Sequence, residues 1–115
     1  MKSNKIIKNE PFVSIIIINF NGGDIIHECI NSIYETVMNR FEIILIDNKS
    51  SDNSSEKCKE KWPEIKLIQN EENIGLTARN IGIKESKGEF IVFLDSDTVV
   101  TNGWLENLIQ SFKEN

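Results

Sequence analysis

Glu89-Phe90-Ile91-Val92-Phe93-Leu94-Asp95-Ser96-Asp97 is the stretch whose reading decides the fold. Five apolar residues run without a break and stop at two carboxylates one residue apart. A run of this kind reads as a strand buried on both faces of a sheet. The carboxylates then fall where the strand leaves the sheet. In an open α/β sheet, ligands bind outside the carboxyl ends of the strands. Two aspartates at that place suit a hard divalent cation held through oxygen, and such a cation bridges to phosphate. The plain alternative is that one aspartate caps a turn and the other is solvated.

The rest of the chain repeats the strand pattern. Residues 13–18 (VSIIII) form a β-branched run, read as the first central strand. A polar turn with two glycines follows at 19–23. Ile26, Ile30, Ile33 and Val37 then recur at helical spacing, which predicts an amphipathic helix over 24–37. Asp24 suits its first turn, where a negative charge complements the helix dipole. Residues 41–46 (FEIILI) form a second strand that also ends on an acid, Asp47. The stretch 48–55 is dense in Ser, Asn and Asp, which cap helices and form turns. Asn53 and Glu56 match a capping box for a helix over 54–62, and Pro63 ends it. A third strand spans 65–69, and a thinly apolar helix spans 76–86, closed by Gly88. Beyond Asp97, Trp104, Leu105, Leu108, Ile109 and Phe112 make a strong helical stripe.

Strand then helix, four times over, implies an α/β domain: a mostly parallel sheet with helices on both faces. The 115 residues suit one domain, with residues 1–12 a polar lead-in and 13–115 the folded part. A net charge of −5 argues against nucleic acid as a partner, which needs a basic footprint. No segment reaches the ~18 apolar residues of a membrane span. Residues 1–10 lack the apolar core of a signal peptide. Cys29 and Cys58 have no ligand pattern around them and read as buried, reduced thiols.

Polar clusters close three of the strands: Asn19-Phe20-Asn21, Asp47-Asn48 and Asp95-Ser96-Asp97. A parallel sheet puts all three on one edge, where they line one crevice. Asp47 would accept a hydrogen bond from a base edge, or form a turn into the serine-rich loop. Phe20 would pack under a planar base or lie in the core. Asn48, Ser50, Ser51 and Asp52 are of the capping type. Arg79 follows a glycine-bearing loop and reaches a base or phosphate, or is solvated. His27 reads as an exposed helix residue. The G-x-G-x-x-G fingerprint is missing after the first strand, and no G-K-[ST] occurs, so the dinucleotide and P-loop readings fail. A receiver domain fails too, because its acids would follow the first and third strands and here they follow the second and fourth.

Four blocks resemble the N-terminal half of a family 2 glycosyltransferase with the Rossmann-like GT-A nucleotide-diphospho-sugar transferase fold. They are 13–22 (VSIIIINFNG), 42–52 (EIILIDNKSSD), Asn73-Ile74-Gly75 with Ala78, Arg79, Asn80 and Gly82, and 88–97 (GEFIVFLDSD). The blocks come in the family's order and cover residues 13 to 104. The resemblance implies that Asp95-Ser96-Asp97 is the family's D-x-D motif, with Asp95 and Asp97 on Mg²⁺ or Mn²⁺ and the donor diphosphate. It implies a nucleotide-binding set of Asn19, Phe20, Asn21, Asp47, Asn48, Arg79, Asp95 and Ser96. The implied donor is a UDP- or dTDP-linked sugar, the acceptor a glycan or lipid-linked hydroxyl, and the reaction inverting. Such enzymes, which include those of polysaccharide synthesis, work in the cytoplasm or at the cytoplasmic membrane face. Asn19 stands where many members have Pro; Asn is found there in rhamnosyltransferase-like members. The family's acceptor site and catalytic base follow the D-x-D at greater length, so a truncated domain is expected here, with no base to name. Its uncovered edge would expose apolar surface and favour self-association. The competing readings are a non-catalytic nucleotide-binding or interaction module and, with no basic residue in the 19–23 turn, the weaker case of a nucleotidyltransferase.

Overall fold

The computed structural model describes residues 12–114. Four strands alternate with four helices: β1 (Val13–Asn19), α1 (Gly23–Thr36), β2 (Phe41–Asp47), α2 (Ser54–Lys61), β3 (Lys66–Gln69), α3 (Ala78–Glu85), β4 (Phe90–Asp95) and α4 (Trp104–Glu114). The strands form one sheet in the order β3-β2-β1-β4, and every pairing is parallel. The expected α/β architecture is therefore the observed one. Register decides what meets at the carboxyl edge: Asn19 pairs with Asp47, Asp47 with Gln69, and Ile18 with Asp95.

The alternation of side chains along a strand divides the core in two. Val13, Ile15 and Ile17 of β1 and Ile43 and Leu45 of β2 face one way. They pack against Ile26, Cys29, Ile30 and Ile33 of α1, Cys58 of α2, and Leu105 and Ile109 of α4. Ile16, Ile44 and Ile46 face the other way, against Ala78 of α3. Both central strands are thus buried on both faces, which is why they read as near-continuous β-branched runs. Burial pushes the Cys29 thiol up to about 12 and the Cys58 thiol up to about 11, because a low-dielectric surrounding disfavours the thiolate. Both cysteines are free and buried, as expected.

The strand that opened the sequence reading departs from expectation. Among the described residues β4 pairs with β1 alone and lies at the edge of the sheet. Phe90, Val92 and Leu94 turn toward the α1 and α4 side, but Ile91 and Phe93 are each 39% exposed. The reason is geometric: α3 packs over β1 and β2, so the same face of β4 is open. A strand buried on both faces was the wrong reading here, and an exposed apolar surface at this edge was the right one. Leu108 and Phe112 of α4 extend that surface, and with Ile91 and Phe93 they border a groove of about 600 Å³.

Smaller corrections follow from local chemistry. The capping box at Asn53 does not form. Asn53 sits at φ 60° with no side-chain cap bond, and Asp52 Oδ1 instead accepts from the Ser54 amide at 3.0 Å and the Ser54 hydroxyl at 2.6 Å. The helix expected over 76–86 begins later: a 3₁₀ turn at Gly75–Thr77 precedes α3 and leaves Leu76 exposed. α3 needs little apolar surface because it sits close. A Cβ at Gly82 would meet Ile16 Cγ2 at 2.5 Å, so glycine is what permits this approach to β1. His27 is half-buried, its ring centroid 4.9 Å from that of Trp62.

Candidate functional site

The carboxyl ends of β1 and β2 are joined by side chains as well as by the sheet. Asn19 is fully buried. Its Nδ2 donates to Ser54 Oγ and to Ser55 Oγ, each at 2.8 Å, and its Oδ1 accepts from the Gly22 amide at 3.0 Å. A primary amide has two N–H donors and one carbonyl oxygen, and all three groups are engaged. Ser55 Oγ in turn donates to Asp47 Oδ1 at 2.6 Å, and the Ser50 amide donates to Asp47 Oδ2 at 2.8 Å. The turn after β1 is thereby tied to the first turn of α2, and the Asp47 carboxylate is held at both oxygens.

Outside this buried network runs a second, exposed seam. The Asn21 amide donates to Ser50 Oγ and the Ser51 amide donates to Asn21 Oδ1, both at 2.8 Å. The Gly23 amide donates to Asp52 Oδ2 at 3.0 Å. Asn21 adopts φ 52°, a left-handed backbone that asparagine tolerates. The Ser54 hydroxyl and amide, followed by the Gly23 amide, hold the Asp52 carboxyl below its ordinary range. Asn48 makes the third tie. Its Oδ1 accepts from Asn70 Nδ2 at 2.9 Å and its Nδ2 donates to the Gly75 carbonyl at 3.2 Å, fixing the loop after β3.

The open part of the site lies across β1, at β4. A cavity of about 340 Å³ is lined by Arg79, Phe93, Asp95, Ser96 and Asp97 over a floor that includes Ile16 and Ile18. The Arg79 guanidinium carbon lies 4.9 Å from the centre of the Phe93 ring. Asp95 and Asp97 are exposed, and the Asp95 carbonyl accepts from the Thr98 amide at 3.1 Å, which turns the chain so that Ser96 and Asp97 stand at the rim.

The candidate residues thus fall into two groups. Arg79, Asp95, Ser96 and Asp97 share the cavity. Asn19, Asp47 and Asn48 are buried beside it in the hydrogen-bonded network, while Phe20 (52% exposed) and Asn21 stand on the rim of the β1 turn. Phe20 is therefore not a core residue. Sequence reasoning passed over Ser54 and Ser55, whose hydroxyls receive the Asn19 amide, and Phe93, which receives Arg79. A signal for Phe93 was available: in a strand, Ile91, Phe93 and Asp95 alternate onto one face.

The family model described as Glycosyl transferase family 2 matches residues 14–115. The chain belongs to this family. It is 33% identical over 106 residues to the glycosyltransferase GlyG of Streptococcus pneumoniae, covering 89% of this chain and 35% of that protein. Among solved structures it is similar to S. aureus TarS 1-349 in complex with UDP-GlcNAc, with a TM-score of 0.76 and 27% identity over 89% of this chain and 31% of that one. It is also similar to the mannosyltransferase PcManGT of Pyrobaculum calidifontis in complex with GDP-Man and Mn2+. There the TM-score is 0.80 and the identity 25%, over 90% of this chain and 32% of that one. The chain spans about a third of the length of these relatives. Its fold is that of the GT-A glycosyltransferases.

In family 2 terms, the residues at β4 fit a divalent cation. Asp95 and Asp97 offer hard oxygen ligands on exposed carboxylates, and among the described residues neither carboxylate is held by a hydrogen bond or ion pair. Among the described residues no group of three or more His, Cys, Asp or Glu is placed to hold a metal. Two carboxylates with room beside them match a cation whose remaining ligands come from phosphate and water. Asn19→Ala removes the central amide of the network and leaves the Ser54 and Ser55 hydroxyls and the Gly22 amide short of partners. It should cost about 1–3 kcal/mol in urea unfolding. A change within about 0.5 kcal/mol, as at an ordinary surface position, would contradict the clamp.

Proposed function

We propose that this chain carries the donor- and metal-binding part of an inverting glycosyltransferase. Such an enzyme moves a sugar from a nucleotide-diphospho-sugar to a hydroxyl of a glycan or lipid-linked acceptor. The observation that carries the reading is the shared cavity of Arg79, Asp95, Ser96 and Asp97 at the carboxyl edge of a parallel sheet. The bound UDP-GlcNAc of TarS and the bound GDP-Man and Mn2+ of PcManGT support it. Asp95-Ser96-Asp97 is then a D-x-D motif, with Asp95 and Asp97 as ligands of Mg²⁺ or Mn²⁺. A cation held there supplies positive charge to the diphosphate leaving group. Arg79 presents N–H groups to the same phosphates.

Asp47 takes the base. Its oxygens each keep a lone pair beyond the bonds from Ser55 and Ser50, and its fixed orientation suits it to accept from a base N–H. Asn48 holds the neighbouring loop in register, and Phe20 and Asn21 border the base and ribose from the β1 turn. UDP and dTDP are the preferred nucleotides of this reading. With a net charge of −5, an anionic donor needs local help, from a cation or from backbone N–H groups. Polysaccharide synthesis in the cytoplasm or at its membrane face is the proposed setting; among the described residues no helix is long and apolar enough to cross a membrane.

Calorimetric titration of UDP, dTDP and GDP, with and without Mn²⁺, tests the reading. Binding should require Mn²⁺ and should weaken at least roughly tenfold, about 1.4 kcal/mol, in Asp97→Ala. Metal-independent binding, or binding untouched by Asp97→Ala, would remove the D-x-D assignment. The non-catalytic module remains the second reading for the 115-residue chain, since the catalytic base is unassigned; donor hydrolysis separates the two.

The open edge of β4 beside Ile91, Leu108 and Phe112 is where a second copy of the chain would pack. Sedimentation velocity at rising concentration should show the mass increase, and Phe112→Glu should suppress it. A monomer across the whole range would exclude self-association.

A further inference from the structure

We infer that Phe93 is a positioning residue: its ring holds the Arg79 guanidinium apart from Asp95 and Asp97, so that cation and carboxylates meet the donor as separate partners. The inference rests on the nucleotide-diphospho-sugar reading above. β4 places Phe93 beside Ile16 and Asp95 beside Ile18, so both side chains leave the same face of the sheet. α3 packs over the neighbouring strands of that face and delivers Arg79 to it. Arg79 and both aspartates line one cavity, yet among the described residues Arg79 forms no ion pair with either carboxylate. Its guanidinium carbon lies instead 4.9 Å from the Phe93 ring centre.

An arginine beside two carboxylates is drawn toward them, and the bidentate contact is the strongest one open to it. That pair would harm the site twice. It would take a carboxylate oxygen from the cation, and it would occupy the N–H fork that a phosphate needs. A ring under the guanidinium competes with this collapse. The negative face of the ring attracts the cation, and stacking leaves the in-plane N–H groups unspent. This gives Phe93 a role that packing does not: it is 39% exposed, on the uncovered face of the edge strand.

Two calorimetric titrations test this, one with Mn²⁺ alone and one with UDP in saturating Mn²⁺. Phe93→Leu and Phe93→Met both remove the ring and keep an apolar side chain at a partly exposed position. Each should weaken UDP binding about fivefold, the size of an exposed cation–π contact, and should weaken Mn²⁺ binding as well. Phe93→Tyr keeps the ring and should restore both affinities. Adding Arg79→Ala to Phe93→Leu should restore Mn²⁺ binding but not UDP binding, because the competing cation is gone and so is the phosphate donor. Wild-type affinities in both ringless variants, or a loss in Phe93→Tyr equal to theirs, would overturn the inference. If Asp97→Ala abolishes UDP binding while the ringless variants keep it, the donor-site reading stands and the role of Phe93 falls. If the wild-type chain binds neither Mn²⁺ nor UDP, both fall.

Discussion

The buried side-chain amide of Asn19 is the interaction on which the carboxyl edge of the sheet depends. Parallel pairing brings Asn19 beside Asp47, but pairing ends with the strands. Past that point the chain leaves as two glycine- and serine-rich turns with no regular hydrogen bonding to hold them. Asn19 supplies it: two donors into the Ser54 and Ser55 hydroxyls and one acceptor for the Gly22 amide. Ser55 passes the constraint on to Asp47. A buried polar network rigidifies its surroundings only when every member is satisfied, and this one is satisfied at Asn19. The space around it is equally committed, since a Cβ on Gly22 would come within 2.3 Å of Asn19 Oδ1.

The site is therefore built in two halves of different character. The half at β1 and β2 is stitched, buried and fixed before any ligand arrives. The half at β4 is open, with exposed carboxylates and one arginine resting on an aromatic ring. Preorganisation of this kind lowers the ordering cost of binding where recognition has to be specific. Charge that is mobile or unpaired belongs on the other side, where phosphates and a cation would meet.

Much of this was legible in the sequence because the strands announce themselves. The β-branched runs of β1 and β2 are long enough to be read without ambiguity, and the acids that end β2 and β4 mark the edge where they meet. What escaped was set by tertiary context. The run Phe90–Leu94 has the composition of a central strand, and only the placement of α3 over β1 and β2 leaves Ile91 and Phe93 uncovered. Asn53 and Glu56 have the spacing of a capping box, but Asn53 takes a left-handed backbone (φ 60°) instead of the extended one an N-cap needs, and its side chain makes no cap bond. The partners of Asn19, Ser54 and Ser55, lie 35 and 36 residues away, beyond any local pattern. Its present environment is wholly protein, which makes it the support of the site's fixed half.

The most direct measurement is residue-by-residue mapping of UDP with Mg²⁺ onto the ¹⁵N-labelled chain by amide chemical shift. The perturbed amides should cluster at the carboxyl ends of β1, β2 and β4, at Asn21, Asn48, Ser50, Ser96 and Asp97. The opposite edge of the sheet, at Arg40 and Phe41, should stay silent. Perturbations gathered at that opposite edge, or confined to the apolar groove of β4 and α4, would contradict it.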